Sequence, residues 1–124
     1  MQPVPIYDKD GVAVAWYEET MIDIIYDLAG HRIAFIIGFF IFDFRGTQRG
    51  QIQSRNFCDA DGSPVGFVEG AIGGPPKPEL RAAPVPPAQF DSDSHFPPLT
   101  TSVAASLKQT WSTKTWAMFL PPND

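Results

Sequence analysis

Four short stretches of the chain carry one phrase: IYDKDG at Ile6 to Gly11, IYDLAG at Ile25 to Gly30, IFDFRG at Ile41 to Gly46 and FCDADG at Phe57 to Gly62. The common pattern is an apolar residue, an aromatic one (cysteine in the fourth copy), Asp, two variable positions and Gly. The aspartates Asp8, Asp27, Asp43 and Asp59 are spaced by 19, 16 and 16 residues, and a small residue stands seven positions after each: Ala15, Ala34, Gly50 and Gly66. Between two apolar runs, Asp-x-x-Gly encodes a tight corner. The carboxylate accepts a backbone N–H two residues on, and the glycine takes the positive-φ position that closes a type I turn with a bulge. Asp8, Gly11, Asp27, Gly30, Asp43, Gly46, Asp59 and Gly62 are therefore read as structural turn residues. A period near 16 leaves about six residues for each flanking strand, the ordinary length, and no 3.6-residue periodicity competes with it. The predicted fold is mainly β, with four β-hairpin repeats around a pseudo-four-fold axis.

Working outward from the corners, side-chain alternation sorts each outgoing strand into two columns. One holds the small residues with Tyr17, Ile36, Ile52 and Val68, and is read as the shared core, with close backbone approach at the axis as the reason for the small residues. The other runs Val14 and Trp16, Ile33 and Phe35, Arg49 and Gln51, Val65 and Phe67. Three copies of this second column are apolar, the third is polar, and something must cover them. The cover is sought in the rest of the chain. Eight of the thirteen prolines fall between residues 73 and 98, a composition that resists helix and central strand and predicts an extended strap. Beyond it, Thr101 or Ser102 is placed to N-cap a short C-terminal helix carrying Val103, Leu107 and Trp111 at helical spacing. The organisation is thus residues 1–72 as the hairpin domain, 73–98 as the proline-rich strap, and 99–124 as an aromatic segment docked on the β domain or on a neighbouring chain.

Composition narrows the function. With 124 residues, 44% hydrophobic and 19% charged, the chain makes one folded domain. A formal charge of −5 opposes a phosphate-tracking surface, so no nucleic-acid partner is expected. The most apolar window, Ile33 to Phe42, is too short to span a bilayer. No secretory leader is visible, and a single cysteine, Cys58, forms no internal disulfide; a cytoplasmic protein without membrane partners is expected.

The four repeats followed by a proline-rich strap resemble the four-fold β-flower family of small uncharacterised bacterial proteins, over residues 4–72. The resemblance implies four hairpin petals around a pseudo-four-fold axis and brings no activity and no catalytic residue with it. Cys58, Arg49 and Gln51 depart from the four-fold pattern. The phrase is also similar to the YD-repeat of large secreted shell proteins, whose arrays are far longer.

Chemical motifs are sparse. DKDG and DADG echo the opening of a calcium loop but lack its later ligands, Glu18 and Glu69 each lying across a strand. Cys58, His31 and His95 are too scattered for zinc. Cys58 fills an aromatic slot and reads as a small buried hydrophobe. The run Asp91-Ser92-Asp93-Ser94-His95 holds a nucleophile and a base, yet neighbours on an extended segment point apart. No glycine-rich phosphate loop is present. The reading is no catalytic residue, no metal, no cofactor and no enzyme activity. What remains is a β-repeat module acting through protein contacts, as a homo-oligomer or with a protein partner. Its alternative is a small-molecule or carbohydrate site between hairpins or at the axis. Tyr7, Trp16, Tyr26, Phe42, Trp111 and Trp116 are the candidate ligand or interface residues. The run from Pro75 to Gln89 is additionally a candidate polyproline ligand.

Overall fold

The computed structural model describes residues 2–92 and 95–121. Eight strands, β1 (Val4–Tyr7), β2 (Ala13–Glu18), β3 (Asp23–Tyr26), β4 (Arg32–Ile37), β5 (Phe40–Asp43), β6 (Gln48–Gln53), β7 (Asn56–Cys58) and β8 (Pro64–Phe67), pair antiparallel in chain order, and β8 returns to β1 to close a barrel. The Asp-x-x-Gly corners join β1 to β2, β3 to β4, β5 to β6 and β7 to β8 at one end, the corner end. The other connections form the opposite mouth. Closure removes every sheet edge, which in a chain this short would otherwise be open to edge pairing.

The corner chemistry repeats in all four hairpins. At the third, Gly46 N–H donates to the Asp43 carbonyl and Asp43 N–H to that of Thr47, both at 3.0 Å. Asp43 Oδ1 accepts from the N–H groups of Arg45 at 2.9 Å and Thr47 at 3.0 Å. Asp8, Asp27 and Asp59 accept the equivalent pairs. Each carboxylate thus satisfies two N–H groups that the bend takes out of the ladder.

Every hairpin also carries one bulge at the same place. Ile6 faces Ala15 while Tyr7 faces Ala13, Ile25 faces Ala34 while Tyr26 faces Arg32, and the third and fourth hairpins repeat the shift. The extra residues are Val14, Ile33, Arg49 and Val65. This corrects the strict two-column reading. The bulge breaks the period of two, so Ile33 and Val65 join the interior cluster and Val14 packs against it, while Trp16, Phe35, Gln51 and Phe67 face outward.

The interior is filled. Ile6, Ile25, Ile41 and Phe57 from the incoming strands meet Ala15, Ala34, Tyr17, Ile36 and Val68, and Trp116, Phe119 and Leu120 close the corner end. The last three belong to a single helical turn, α1 (Trp116–Phe119), with Thr115 as N-cap and Leu120 as C-cap. Here the sequence expectation of a helix from Thr101 or Ser102 through Trp111 is overturned: Thr101 to Lys108 is extended, because it is bonded to the barrel along its backbone. The small column has a second cause beside the close backbone approach expected, the plug. A Cβ on Gly50 would overlap the Cys58 carbonyl and come within 3.0 Å of Phe119, and one on Gly66 would sit 3.0 Å from Trp116. The two repeats with glycine are those against which the plug lies.

Outside the barrel, the strap makes one circuit. Arg81 N–H donates to the Gly11 carbonyl, Asp91 to Gly30, Thr100 to Gly46 and Lys108 to Gly62, at 2.8 to 3.0 Å. The corners are thus visited in chain order, and the extended run continues past Pro98 to Lys108. Ser112 then donates its N–H to Pro64 and its hydroxyl to Asp59 Oδ2 at 2.6 Å, turning the chain inward toward the plug.

Candidate functional site

The outward aromatics form cross-strand pairs between neighbouring hairpins: Trp16 with Tyr26, Phe35 with Phe42, and Tyr7 with Phe67. The strap covers each pair with a side chain of its own. Phe90 stands edge-on to Trp16 and Tyr26, with centroids 6.3 and 4.7 Å away. Phe96 meets Phe35 at 4.9 Å, and Trp111 meets Phe67 at 5.9 Å. Cations lie over two of these clusters: the Arg32 guanidinium is 4.2 Å from the Phe44 ring, and Lys77 Nζ is 5.7 Å from that of Trp111.

The fourth pair is Gln51 with Cys58. Two of the departures from the repeat, Gln51 and Cys58, therefore face each other. In this sector the strap is held by side-chain amides rather than by rings. Gln48 Nε2 donates to the Val103 carbonyl and its Oε1 accepts from Val103 N–H at 2.7 Å; Gln51 makes the same two-bond grip on Ala105, and Gln53 adds a bond to the Ala105 carbonyl. Arg49, at the bulge, donates Nε to the Phe119 carbonyl at 3.1 Å and Nη2 to that of Met118, satisfying the end of α1. The polar third repeat is thus a backbone-reading face. Cys58 is fully buried, and burial, aided by Asp59, pushes its thiol up to about 12, which leaves almost no thiolate near neutral pH.

The six aromatic candidates do not converge. Tyr7, Trp16, Tyr26 and Phe42 lie in three different outward pairs, Trp111 covers one of them, and Trp116 is in the plug. Trp111 and Trp116 line a shallow hollow of about 110 Å³ beside Asp8 and Asp10. Tyr26 alone among the six lines a groove of about 650 Å³ between β2–β3 and the strap, with Glu18, Met21, Ile24, Arg32, Phe90 and Phe96. Tyr26 donates its hydroxyl to Glu18 at 3.0 Å; burial first, and this bond second, push the phenol up to about 12. The axis itself is occupied by the core side chains described above. Among the described residues, no three His, Cys, Asp or Glu side chains come together to hold a metal ion, and no helix is long and apolar enough to cross a membrane. Of the acidic run at 91–95, Asp93 and Ser94 lie outside the described residues.

The mouth is the surface that sequence reasoning missed. Met21 is fully exposed there, Ile72 is 71% exposed, and Ile37 and Phe39 are open to solvent. Ile22 and Phe40 continue the patch into the cluster beneath Phe90 and Phe96, so the mouth and the groove share an edge. Across it, Arg55 Nε donates to the Glu69 carbonyl and Nη1 lies 4.0 Å from Glu19. Hydrophobic residues in turns, which the hairpin reading passes over, were the available signal.

A family model described as 4-fold beta flower protein matches residues 4–120. Neither the curated proteins nor the solved structures hold a match to the chain.

Proposed function

The chain belongs to the 4-fold beta flower proteins, and on that premise we propose that it is a non-enzymatic β-repeat module that works through protein contacts, self-associating by its mouth. One observation carries this reading: the strap covers the outward pairs but leaves Met21, Ile37, Phe39 and Ile72 exposed at one end. Large apolar side chains gathered at one end of a small domain mark an interaction surface. The mouth also carries the Arg55–Glu19 pair, and opposite charges set side by side can fix the register of two copies that meet there.

The test is light scattering after size exclusion at micromolar to millimolar concentration. The parent chain is expected to reach twice its 13.7 kDa mass, and Met21→Asp with Phe39→Asp is expected to return it to the monomer with unchanged circular dichroism. A parent that stays monomeric throughout sinks the reading.

The groove beside Tyr26 favours a second reading, a small-molecule or carbohydrate site. Its walls combine the rings of Phe90 and Phe96 with the polar groups of Glu18, Arg32 and Asp91, the mixture of apolar wall and few polar groups usual for such sites. Chemical-shift changes at Tyr26 and Phe90 on adding an oligosaccharide mixture, with no change in mass, favour it over self-association.

A further inference from the structure

The three sectors of the strap between successive corner anchors differ in what they give to the barrel. From Asp91 to Thr100 it supplies Phe96, and from Thr100 to Lys108 it supplies the backbone groups gripped by Gln48, Gln51 and Gln53. From Arg81 to Asp91 it supplies Phe90 near its far end, while the five consecutive residues Ala82 to Pro86 before it are exposed, Val85 to 89%. Among the described residues, no backbone N–H between these two anchors donates to the barrel. The segment is nonetheless fixed, by Arg81 bonded to Gly11 at one end and Asp91 bonded to Gly30 at the other.

Its conformation is set by its residues. Pro84, Pro86 and Pro87 lock φ near −65°, and Ala83, Val85 and Pro86, each preceding a proline, are confined to the extended region. These constraints favour a left-handed polyproline helix, with three residues per turn. At that period Arg81, Pro84 and Pro87 fall along one edge. Arg81 and Pro84 are exposed, and Pro87 is half-buried against Gly30. Among the described residues the Arg81 guanidinium is in no ion pair. We propose that Arg81 to Pro87, Arg-Ala-Ala-Pro-Val-Pro-Pro, is a preformed ligand for a partner domain with an aromatic-lined groove that ends in a carboxylate.

The physical advantage is preorganisation. A free proline-rich peptide still loses some freedom on binding, whereas this one is tied at both ends before the partner arrives. The aromatic groove takes the exposed part of the edge at Pro84, Pro87 resting on the Gly30 corner, and the carboxylate takes Arg81, which fixes the direction of the bound segment. This contact is separate from the mouth, at the other end of the barrel, and does not depend on self-association.

The experiment titrates an isotope-labelled SH3 domain of the kind that takes Arg-x-x-Pro-x-x-Pro with the full chain, and separately with a synthetic peptide of residues 79–89. The full chain is expected to bind at least as tightly as the peptide. Arg81→Glu and Pro84→Ala should each weaken it about tenfold or more, a loss of about 1.4 kcal/mol, with unchanged thermal unfolding. Raising the salt should weaken the parent, whose Arg81–carboxylate attraction is screened, and should not weaken Arg81→Glu, whose repulsion is screened instead. The proposal is overturned if the peptide binds and the full chain does not, since the strap then hides the edge. It is equally overturned if neither binds, or if both variants bind as the parent does.

Discussion

At Gly46 two demands coincide. The corner needs positive φ there, +86°, and the strap needs room, because a Cβ would overlap the Pro98 carbonyl that passes beside it. Gly38, in the two-residue connection of β4 and β5, has a similar φ of +64° with nothing within 4 Å of the Cβ position. The pair separates the two effects. In urea unfolding, Gly38→Ala should cost about 1 kcal/mol from backbone strain alone. Gly46→Ala should cost about 3 kcal/mol, because the strap must also move. Equal costs would show that the strap is not seated on the corner. The glycines were legible as turn residues because Asp-x-x-Gly is local chemistry; their second role was not, since Pro98 lies far along the chain. A related effect concerns pH. Burial raises Cys58 from its usual 9.0, and burial with a carboxylate partner raises Tyr17 and Tyr26 from 10.0. A folded-state value above the unfolded one means stability that is complete below the unfolded value and lost as pH rises. The urea midpoint should therefore be unaffected by these groups up to about pH 9 and fall between there and pH 12. In Cys58→Val the fall should begin later, in the tyrosine range. A midpoint that rises above pH 9 would contradict the assignment.

Between elements, the relation of barrel to strap explains why the third repeat departs from the others. A sheet face presenting Gln48, Gln51 and Gln53 offers both donors and acceptors, so it pairs with extended backbone and keeps Thr100 to Lys108 from closing into a helix. This is where the helix expected from the spacing of Val103, Leu107 and Trp111 loses. Helical N–H groups would need carbonyls four residues back, while Val103 and Ala105 already have partners on the barrel. Restoring the repeat by Gln51→Phe with Cys58→Tyr should therefore destabilise the protein by about 2 kcal/mol, despite improving its symmetry, because it leaves Ala105 N–H unpaired. Thermal unfolding checks this, and an increase in Tm would show that ring packing outweighs the amide grip. The bulges belong to the same scale. One extra residue per hairpin moves Val14, Ile33 and Val65 toward the interior and Arg49 toward the end of α1, a shift that alternation alone cannot reveal, since it depends on where each partner strand resumes its register.

For the molecule as a whole, the barrel, the strap and the plug form one hydrophobic assembly closed at the corner end. Ending the chain before Ser112 removes Trp116, Phe119 and Leu120 from the interior cluster and the hydroxyl of Ser112 from Asp59. The truncated protein should lose cooperativity, unfold at least 10 °C lower, by roughly the loss of several kcal/mol in a domain of this size, and bind a hydrophobic dye. A shortened chain with the parent's Tm would mean that the barrel is complete without its plug. By itself the sequence determined the four corners, their strands, and the proline-rich character of the strap, because turn geometry, strand alternation and the locked φ of proline act over a few residues. Only the tertiary structure decided that the sheet closes on itself, that the strap circles it in chain order, that Gln51 faces Cys58, and that the mouth is left bare. Those outcomes are set by contacts between residues tens of positions apart, and the free energy of such contacts depends on which surfaces meet rather than on any one segment's own preference.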